Sequence, residues 1–317
     1  MGVMGCSSFA QRAMIPALLE CDSADLVCVA SRTVEKATQV AAQFSCDAIE
    51  GYDALLERVD VDAVYMPLPT GLHEQWCTKA LHADKHLLVE KSFATNRDSA
   101  ERMLGLARRK NRLVMENFQF QTHGQWSRIV GSMTSGELGE VHLVRSTFGF
   151  PPLPRDNFRW SKELGGGALL DAGAYTTMVA ALLLGPGLDV LGGSMQLDAD
   201  TGVDVYGEAM LRNKAGQVAQ VAFGFDYFYQ CRLELLGTKG KLTATRVFTT
   251  PPGEKPIVRI ETEGGVEPIP IPADNHFVNM WDWFAQEVNA TDHSESWEAL
   301  LDQARVLNLV RKVGEKR

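Results

Sequence analysis

The stretch from Val64 to Lys91, VYMPLPTGLHEQWCTKALHADKHLLVEK, leaves a chain few ways to fold. It reads as apolar strand, proline-flanked turn, helix and second apolar strand, ending on the charged pair Glu90-Lys91. Two buried strands joined by a helix pack as a right-handed βαβ crossover in a parallel sheet. A lysine at the carboxyl end of such a strand is costly to bury without a partner or a task. In an open parallel sheet that end faces the crevice where ligands bind. One segment therefore predicts both a fold and a candidate catalytic residue.

The same alternation fills the first third of the chain. Strands are predicted at Met1–Met4, Leu26–Ala30, Asp62–Met66, His86–Val89 and Leu113–Glu116, and helices near Phe9–Leu19, Val34–Phe44, Leu72–Ala83 and Asp98–Arg109. The first strand is short, which suits a natural chain that begins a few residues before Met1. After about Phe118 the pattern changes. A helix is predicted at Gln125–Met133, a strand at Val141–Phe150 and a glycine-led helix at Gly165–Leu184. Leu188 to Ile271 is mostly strand-like, including Val203–Leu211, Val218–Phe228 and Arg232–Leu236, with turns at Asn213–Gly216 and Gly237–Gly240. Two helical stripes close the chain, Phe277-Trp281-Phe284-Val288 and Trp297-Leu300-Leu301-Ala304-Leu307, and both read as core. The expected fold class is an α/β dinucleotide-binding domain, doubly wound on a parallel sheet, over residues 1–118. An α+β domain with a largely antiparallel open sheet is expected over residues 119–317.

With 317 residues, 45% of them hydrophobic, the chain has material for two ordinary cores. A net charge of -9 argues against a nucleic-acid or acidic-membrane surface. The six cysteines are scattered singly, so neither a disulfide scaffold nor a zinc knuckle is expected. No His/Cys/Asp cluster has metal spacing, and no metal is expected. No basic segment followed by an apolar run opens the chain, and no apolar stretch nears the roughly 20 residues of a membrane span. The expected setting is cytoplasmic.

Gly5-Cys6-Ser7-Ser8-Phe9-Ala10 follows the first strand and opens a helix. It is a G-x-G-x-x-G turn with Ser7 at the second glycine and Ala10 at the third. Gly5 can make the tight turn, Ala10 permits close helix–strand packing, and Ser7 narrows the approach to pyrophosphate while offering it a hydroxyl. Small-residue turns of this kind also occur in many α/β folds without a nucleotide. The second strand runs into Ser31-Arg32, where an NAD-selective chain places Asp or Glu for the ribose hydroxyls. A hydroxyl and a guanidinium there suit the 2′-phosphate of NADP; the alternative is an exposed arginine at a helix start. Pro67, Leu68, Pro69 and Thr70 pre-shape a turn over the nicotinamide or adenosine end. His73, just inside the next helix, is a cofactor contact or a capping and packing residue. Glu116 and Asn117 reach the same crevice edge by position, and His123 faces the substrate or is structural.

Together GVMGCSSFA, VASRTVEKA, VYMPLPTGLH, LLVEKS, MENF and GGGALLDAGAY make the chain resemble the glucose–fructose oxidoreductase and inositol dehydrogenase family, Gfo/Idh/MocA, over nearly its whole length. Within it the pattern is most similar to the NADP-dependent sugar-nucleotide 3-ketoreductases of deoxysugar pathways. The resemblance implies a Rossmann domain followed by an α+β domain for substrate binding and oligomerisation. It implies NADP(H) rather than NAD(H), a sugar or nucleotide-sugar substrate, and a homodimer or homotetramer. It sets Lys91 where the family has its lysine, with Glu90 beside it at the cofactor. Three departures stand out. Ser92 replaces the proline of Glu-Lys-Pro and is expected to loosen the backbone after the lysine. Ser7 replaces the second glycine. Tyr175 ends Asp171-Ala172-Gly173-Ala174-Tyr175, where many members have Asp-x-Gly-x-His; some sugar ketoreductases resemble this tyrosine form.

Reducing a ketone needs a hydride at carbon and a proton at oxygen. Tyr175 is the candidate proton donor, because a phenol titrating near ~10 is protonated at neutral pH. Lys91 would stabilise the phenolate, bond the substrate carbonyl and hold the nicotinamide ribose or amide. The two are remote in sequence, so their meeting is an expectation of the fold alone. The alternatives are a surface Lys91 paired with Glu90 and a Tyr175 packed in the core. Asp171, one helical turn before Tyr175, touches substrate hydroxyls or pairs with Arg159 or Lys162. Arg155, Arg159 and Lys162 offer cations to a substrate diphosphate, or form an ordinary solvated run. Trp160, Phe148, Phe150, Tyr227 and Tyr229 offer faces to a base or sugar ring, though aromatics in strands are mostly core. The leading reading is an NADP-dependent reductase of a nucleotide-linked keto-sugar. The same fold also serves NADP-dependent dehydrogenases of free sugars, polyols or dihydrodiols, glycosidases that oxidise their sugar transiently, and non-catalytic dinucleotide sensors. A sensor would need neither Lys91 nor Tyr175.

Overall fold

The computed structural model describes residues 1–315. The chain forms two compact units: Met1–Phe118 with Phe277–Leu301, and Gln119–His276 with the chain from Asp302 onward. In the first, β1 (Gly2–Met4), β2 (Cys28–Ser31), β3 (Asp47–Glu50), β4 (Ala63–Met66), β5 (His86–Val89) and β6 (Val114–Glu116) form a six-stranded sheet. The order is β3-β2-β1-β4-β5-β6 and every pairing is parallel. Strand order reverses between β1 and β4, the switch point outside which ligands of such sheets bind. The inner strands are buried on both faces, as continuous apolar runs require. The helices Val34–Phe44 and Arg97–Lys110 start on Thr33 and Asn96, whose side chains accept from the amides of Lys36 and Ser99.

Besides the short helix Tyr52–Leu56, two features of this unit escape the sequence pattern. β3 is an exposed edge strand, DAIE, which needs only its backbone pairing to β2 and shows no apolar alternation. The second is the segment Phe277–Leu301. A boundary at 118/119 leaves it in the second domain, whereas packing places it in the first unit. Trp281 is fully buried there, its Nε1 donates to the Met14 carbonyl at 2.9 Å, and its ring meets Tyr65 edge-on at 5.5 Å. Met280 and Phe284 join the same core.

The second unit carries an eight-stranded sheet in the order β14-β13-β12-β11-β7-β10-β9-β8. Its strands are β7 (Val141–Gly149), β8 (Asp189–Leu197), β9 (Asp204–Arg212), β10 (Val218–Gly224), β11 (Gln230–Gly237), β12 (Gly240–Thr245), β13 (Ile257–Thr262) and β14 (Gly265–Pro270). Only β7 and β10 pair in parallel. The helix Ala174–Leu184 and the π-helical turn Leu169–Gly173 before it lie on β7, β9 and β10. They cover Val144, Phe148, Ala209, Val221 and Phe223, while Leu191, Tyr206 and Met210 remain exposed. Helicity begins at Leu169 rather than at Gly165, because Gly165 and Gly167 take positive φ, +74° and +109°, to turn the chain into the helix. Among the described residues no helix is long and apolar enough to cross a membrane.

Candidate active site

In the first unit the turn after β1 is built as its residues demand. Gly5 has φ +116°, and a Cβ there would sit 2.9 Å from Leu68 Cδ2. Its amide donates to the Ala30 carbonyl at 2.9 Å, tying the turn to the end of β2. Ser7 Oγ accepts from the Ala10 amide at 3.1 Å, and Ala10 is fully buried. The hydroxyl proton of Ser7 is thereby left for another acceptor. Cys6 is half-buried and Ser8 exposed, Phe9 meets Phe277 edge-on at 5.8 Å, and the helix opens with one π turn, Ala10–Met14. Such turns are frequent at functional sites. Ser31 closes β2 half-buried and Arg32 is exposed beyond it. Burial raises the Tyr52 phenol, and the Arg32 guanidinium beside it opposes that rise.

The ends of β4, β5 and β6 carry the charged group. Pro67 and Thr70 are buried, and Leu68 and Pro69 are partly open. His73 is fully buried, with Nε2 2.8 Å from the Leu68 carbonyl and Nδ1 3.1 Å from the Phe93 carbonyl. Both ring nitrogens thus face main-chain carbonyls, and the one N–H of the neutral ring donates to one of them, so His73 ties the proline turn to the loop after β5. Burial lowers its pKa. Glu90 Oε1 accepts from Tyr65 Oη at 2.7 Å and from Asn117 Nδ2 at 2.6 Å. Burial pushes the Glu90 carboxyl up, against Asn117, Tyr65 and Lys91, which pull it down. Lys91 follows, partly open, and the Lys91–Ser92 peptide is cis. The backbone after Lys91 is not loose despite the missing proline. Ser92 is buried, the Phe93 amide donates to Glu116 Oε1 at 2.8 Å, and the Phe93 carbonyl contacts His73.

In the second unit Arg159 and Asp171 form a two-pronged pair, with Nε donating to Oδ2 and Nη2 to Oδ1 at 3.2 Å. Of the readings open for Asp171, the pairing with Arg159 is present. Arg159 also lies over the Phe158 ring at 4.7 Å. Arg155 stacks on Trp160 at 3.9 Å and pairs with Asp198 at 2.9 Å, while Lys162 is exposed. Tyr175 is buried against Phe148, Phe248 and Phe120, with ring centroids 5.2, 5.2 and 6.0 Å away. Phe150 stacks on Phe225, Tyr227 lies by Tyr206, and Tyr229 Oη shares a hydrogen bond with Thr249. His123 caps the helix Gly124–Thr134, its Nδ1 accepting from the Gln125 amide at 2.9 Å.

Sequence reading missed what holds this helix. Asp204, buried at the start of β9, accepts from the Leu169 amide. A Cβ on Gly167 would sit 2.2 Å from Asp204 Oδ1, and one on Gly166 2.3 Å from the Arg159 carbonyl. These two glycines are therefore a close-packing requirement, and Gly167 is the one sequence signal that could have pointed to Asp204. From the chain's end Gln303 Nε2 donates to the Ala174 carbonyl at 2.8 Å.

Comparison with known proteins assigns both halves. Residues 1–118 match the oxidoreductase family with an NAD-binding Rossmann fold, and residues 128–243 match the GFO/IDH/MocA C-terminal domain. The chain belongs to the Gfo/Idh/MocA oxidoreductase family. One relative is a dTDP-3,4-didehydro-2,6-dideoxy-alpha-D-glucose 3-reductase of Saccharopolyspora spinosa, 42% identical over 100% of this chain and 96% of that protein. The Actinomadura kijaniata enzyme of the same name is 39% identical over 98% and 94%. A solved 3-ketoreductase from Actinomadura kijaniata, in complex with NADP and TDP-benzene, matches with TM-score 0.95 at 38% identity over 98% of this chain and 96% of that one. Variants of it with a lysine changed to alanine and a tyrosine to phenylalanine match at 0.92 and 0.95.

The first unit fits the dinucleotide its family description names. Gly5 keeps the tight turn free of a Cβ that would crowd Leu68, the turn opens a helix, and Asn117 Oδ1 is buried with no protein partner. Among the described residues no group of three or more His, Cys, Asp or Glu is placed to hold a metal ion.

Proposed function

We propose that this chain is an NADPH-dependent ketoreductase of a thymidine-diphosphate-linked keto-sugar. The observation that carries the reading is Ser31-Arg32 at the end of β2, in a chain 42% identical throughout to a dTDP-keto-sugar 3-reductase. That strand end has no carboxylate for a ribose 2′-hydroxyl and offers a guanidinium for a 2′-phosphate. The amides of the turn Gly5–Ala10 and the Ser7 hydroxyl hold the pyrophosphate. Arg32 with Ser31 holds the adenosine phosphate, and the turn Pro67–Thr70 shapes the rest of the berth.

Bound there, NADPH supplies the hydride. Tyr175 holds the proton at Oη and gives it to the carbonyl oxygen, while its phenyl cage excludes water. Lys91 presents its ammonium to the cofactor. Asn117 and Tyr65 fix Glu90, and Glu90 orients Lys91. Arg159, braced by Asp171 and Phe158, and Trp160 bind the substrate. That a lysine and a tyrosine were the residues exchanged in the Actinomadura ketoreductase supports the two catalytic assignments. The second unit binds the sugar and pairs copies of the chain through its open sheet face, in a cytoplasmic homodimer or homotetramer.

The test is NADPH consumption, followed by absorbance, with a TDP-linked 3-keto-sugar beside free aldoses, polyols and dihydrodiols. Turnover of the TDP-sugar with NADPH supports the reading. Turnover confined to free sugars or dihydrodiols with NADP+ overturns it in favour of a dehydrogenase.

A further inference from the structure

Glu116 is a buried carboxyl that the reaction above does not use. It ends β6 opposite Val89 of β5, so its side chain stands beside the loop that carries Glu90 and Lys91. Its two oxygens are treated differently. Oε1 accepts from the Phe93 amide at 2.8 Å, and Oε2 is buried with no hydrogen-bond partner in the protein. A buried carboxylate left with one such oxygen is strongly disfavoured, whereas a neutral acid there is tolerable.

The charges facing Glu116 make the same point. Lys91 and Glu90 face it from the loop after β5, while Tyr65 of β4 and Asn117 bind Glu90. Glu90 and Glu116 set two carboxyls against the one ammonium of Lys91. A charge on Glu116 would make the trio net negative and draw Lys91 towards two carboxylates. Burial, with Glu90 acting the same way and the Phe93 amide and Lys91 opposing, pushes Glu116 up to about 8.

We propose that Glu116 is a positioning residue of the Lys91 centre: Oε1 fixes the loop beyond the lysine, and Oε2 keeps a proton, so that Glu116 sets no second negative charge against the ammonium. This rests on the assignment of Lys91 above, but the protonation itself can be read without turnover. The unfolded chain releases this proton near 4.5 and the folded chain holds it to about 8. The folded state then binds the extra proton between those values, so stability falls as pH rises through that window.

The experiment compares Glu116→Gln, an isostere of the protonated acid, with wild type and Glu116→Ala. In urea unfolding, Glu116→Gln should gain on wild type steadily between about pH 5 and 8. A difference that does not change with pH overturns the proposal. In turnover, Glu116→Gln should lose less than about 5-fold at neutral pH and lack the alkaline decline of wild type near 8, while Glu116→Ala loses more than about 50-fold. Equal losses in the two variants, or an alkaline limb near 8 kept by Glu116→Gln, also overturn it. If no form turns over the keto-sugar, the functional reading fails, and the urea comparison still decides whether Glu116 holds its proton.

Discussion

Asp204→Ala offers the sharpest link between packing and chemistry in the second unit. The carboxylate accepts from the amide of Leu169, which is itself fully buried. Removing it leaves that amide unsatisfied, at about 1–3 kcal/mol. Part of this is offset, because burial already pushes the Asp204 carboxyl up and the substitution removes that burden. The net loss should be about 2 kcal/mol, or roughly 4–8 °C in the melting of a unit of this size. Asp204→Asn retains an acceptor and should lose less than about half as much. The amide starts the π turn that leads into Tyr175, so kcat should fall in Asp204→Ala while NADPH affinity, a property of the first unit, holds. Melting followed by circular dichroism, with fluorescence titration of NADPH, checks both. The reasoning is refuted if Asp204→Ala melts within about 1 °C of wild type, or if it loses NADPH binding while keeping turnover.

Other substitutions separate the remaining roles. Arg32→Ala should weaken NADPH binding by about 10-fold or more and NADH binding little, since it removes a charge-assisted bond to the 2′-phosphate alone; fluorescence titration with both nucleotides measures the ratio. Tyr175→Phe should lower kcat by about 100-fold. A change confined to KM would make that tyrosine a binding residue. Trp281→Ala should destabilise the first unit by about 3–5 kcal/mol in urea unfolding, because the indole is fully buried and bonded to the Met14 carbonyl.

The parallel sheet was legible because its strands are buried on both faces and read as unbroken apolar runs; His86–Val89 and Val34–Phe44 keep their predicted bounds. The largely antiparallel second sheet followed from alternation and turn residues. β3 was not legible, since an edge strand is held by backbone alone. An apolar stripe such as Phe277-Trp281-Phe284-Val288 says that a helix is buried but not against what, which is why the allegiance of Phe277–Leu301 needed coordinates. At the site, residue types pointed to the turn Gly5–Ala10 and to Lys91 and Tyr175, which the structure sets in the first and second units respectively. Partners were another matter. Whether Asp171 meets Arg159, and whether His73 binds a ligand or two main-chain carbonyls, depends on contacts that no local spacing encodes. Asp204 left no mark except Gly167, which makes room for it.

The central claim, hydride delivery from NADPH to the ketone of a nucleotide-linked sugar, is most directly tested by isotope transfer. NADPH carrying deuterium at both positions of the nicotinamide C4 is incubated with the chain and a TDP-linked 3-keto-sugar, and the product is read by mass spectrometry. The account predicts a single deuterium on the newly formed carbinol carbon, absent with Lys91→Ala. A product without deuterium, or label retained wholly on the nucleotide while the sugar is consumed, would contradict it.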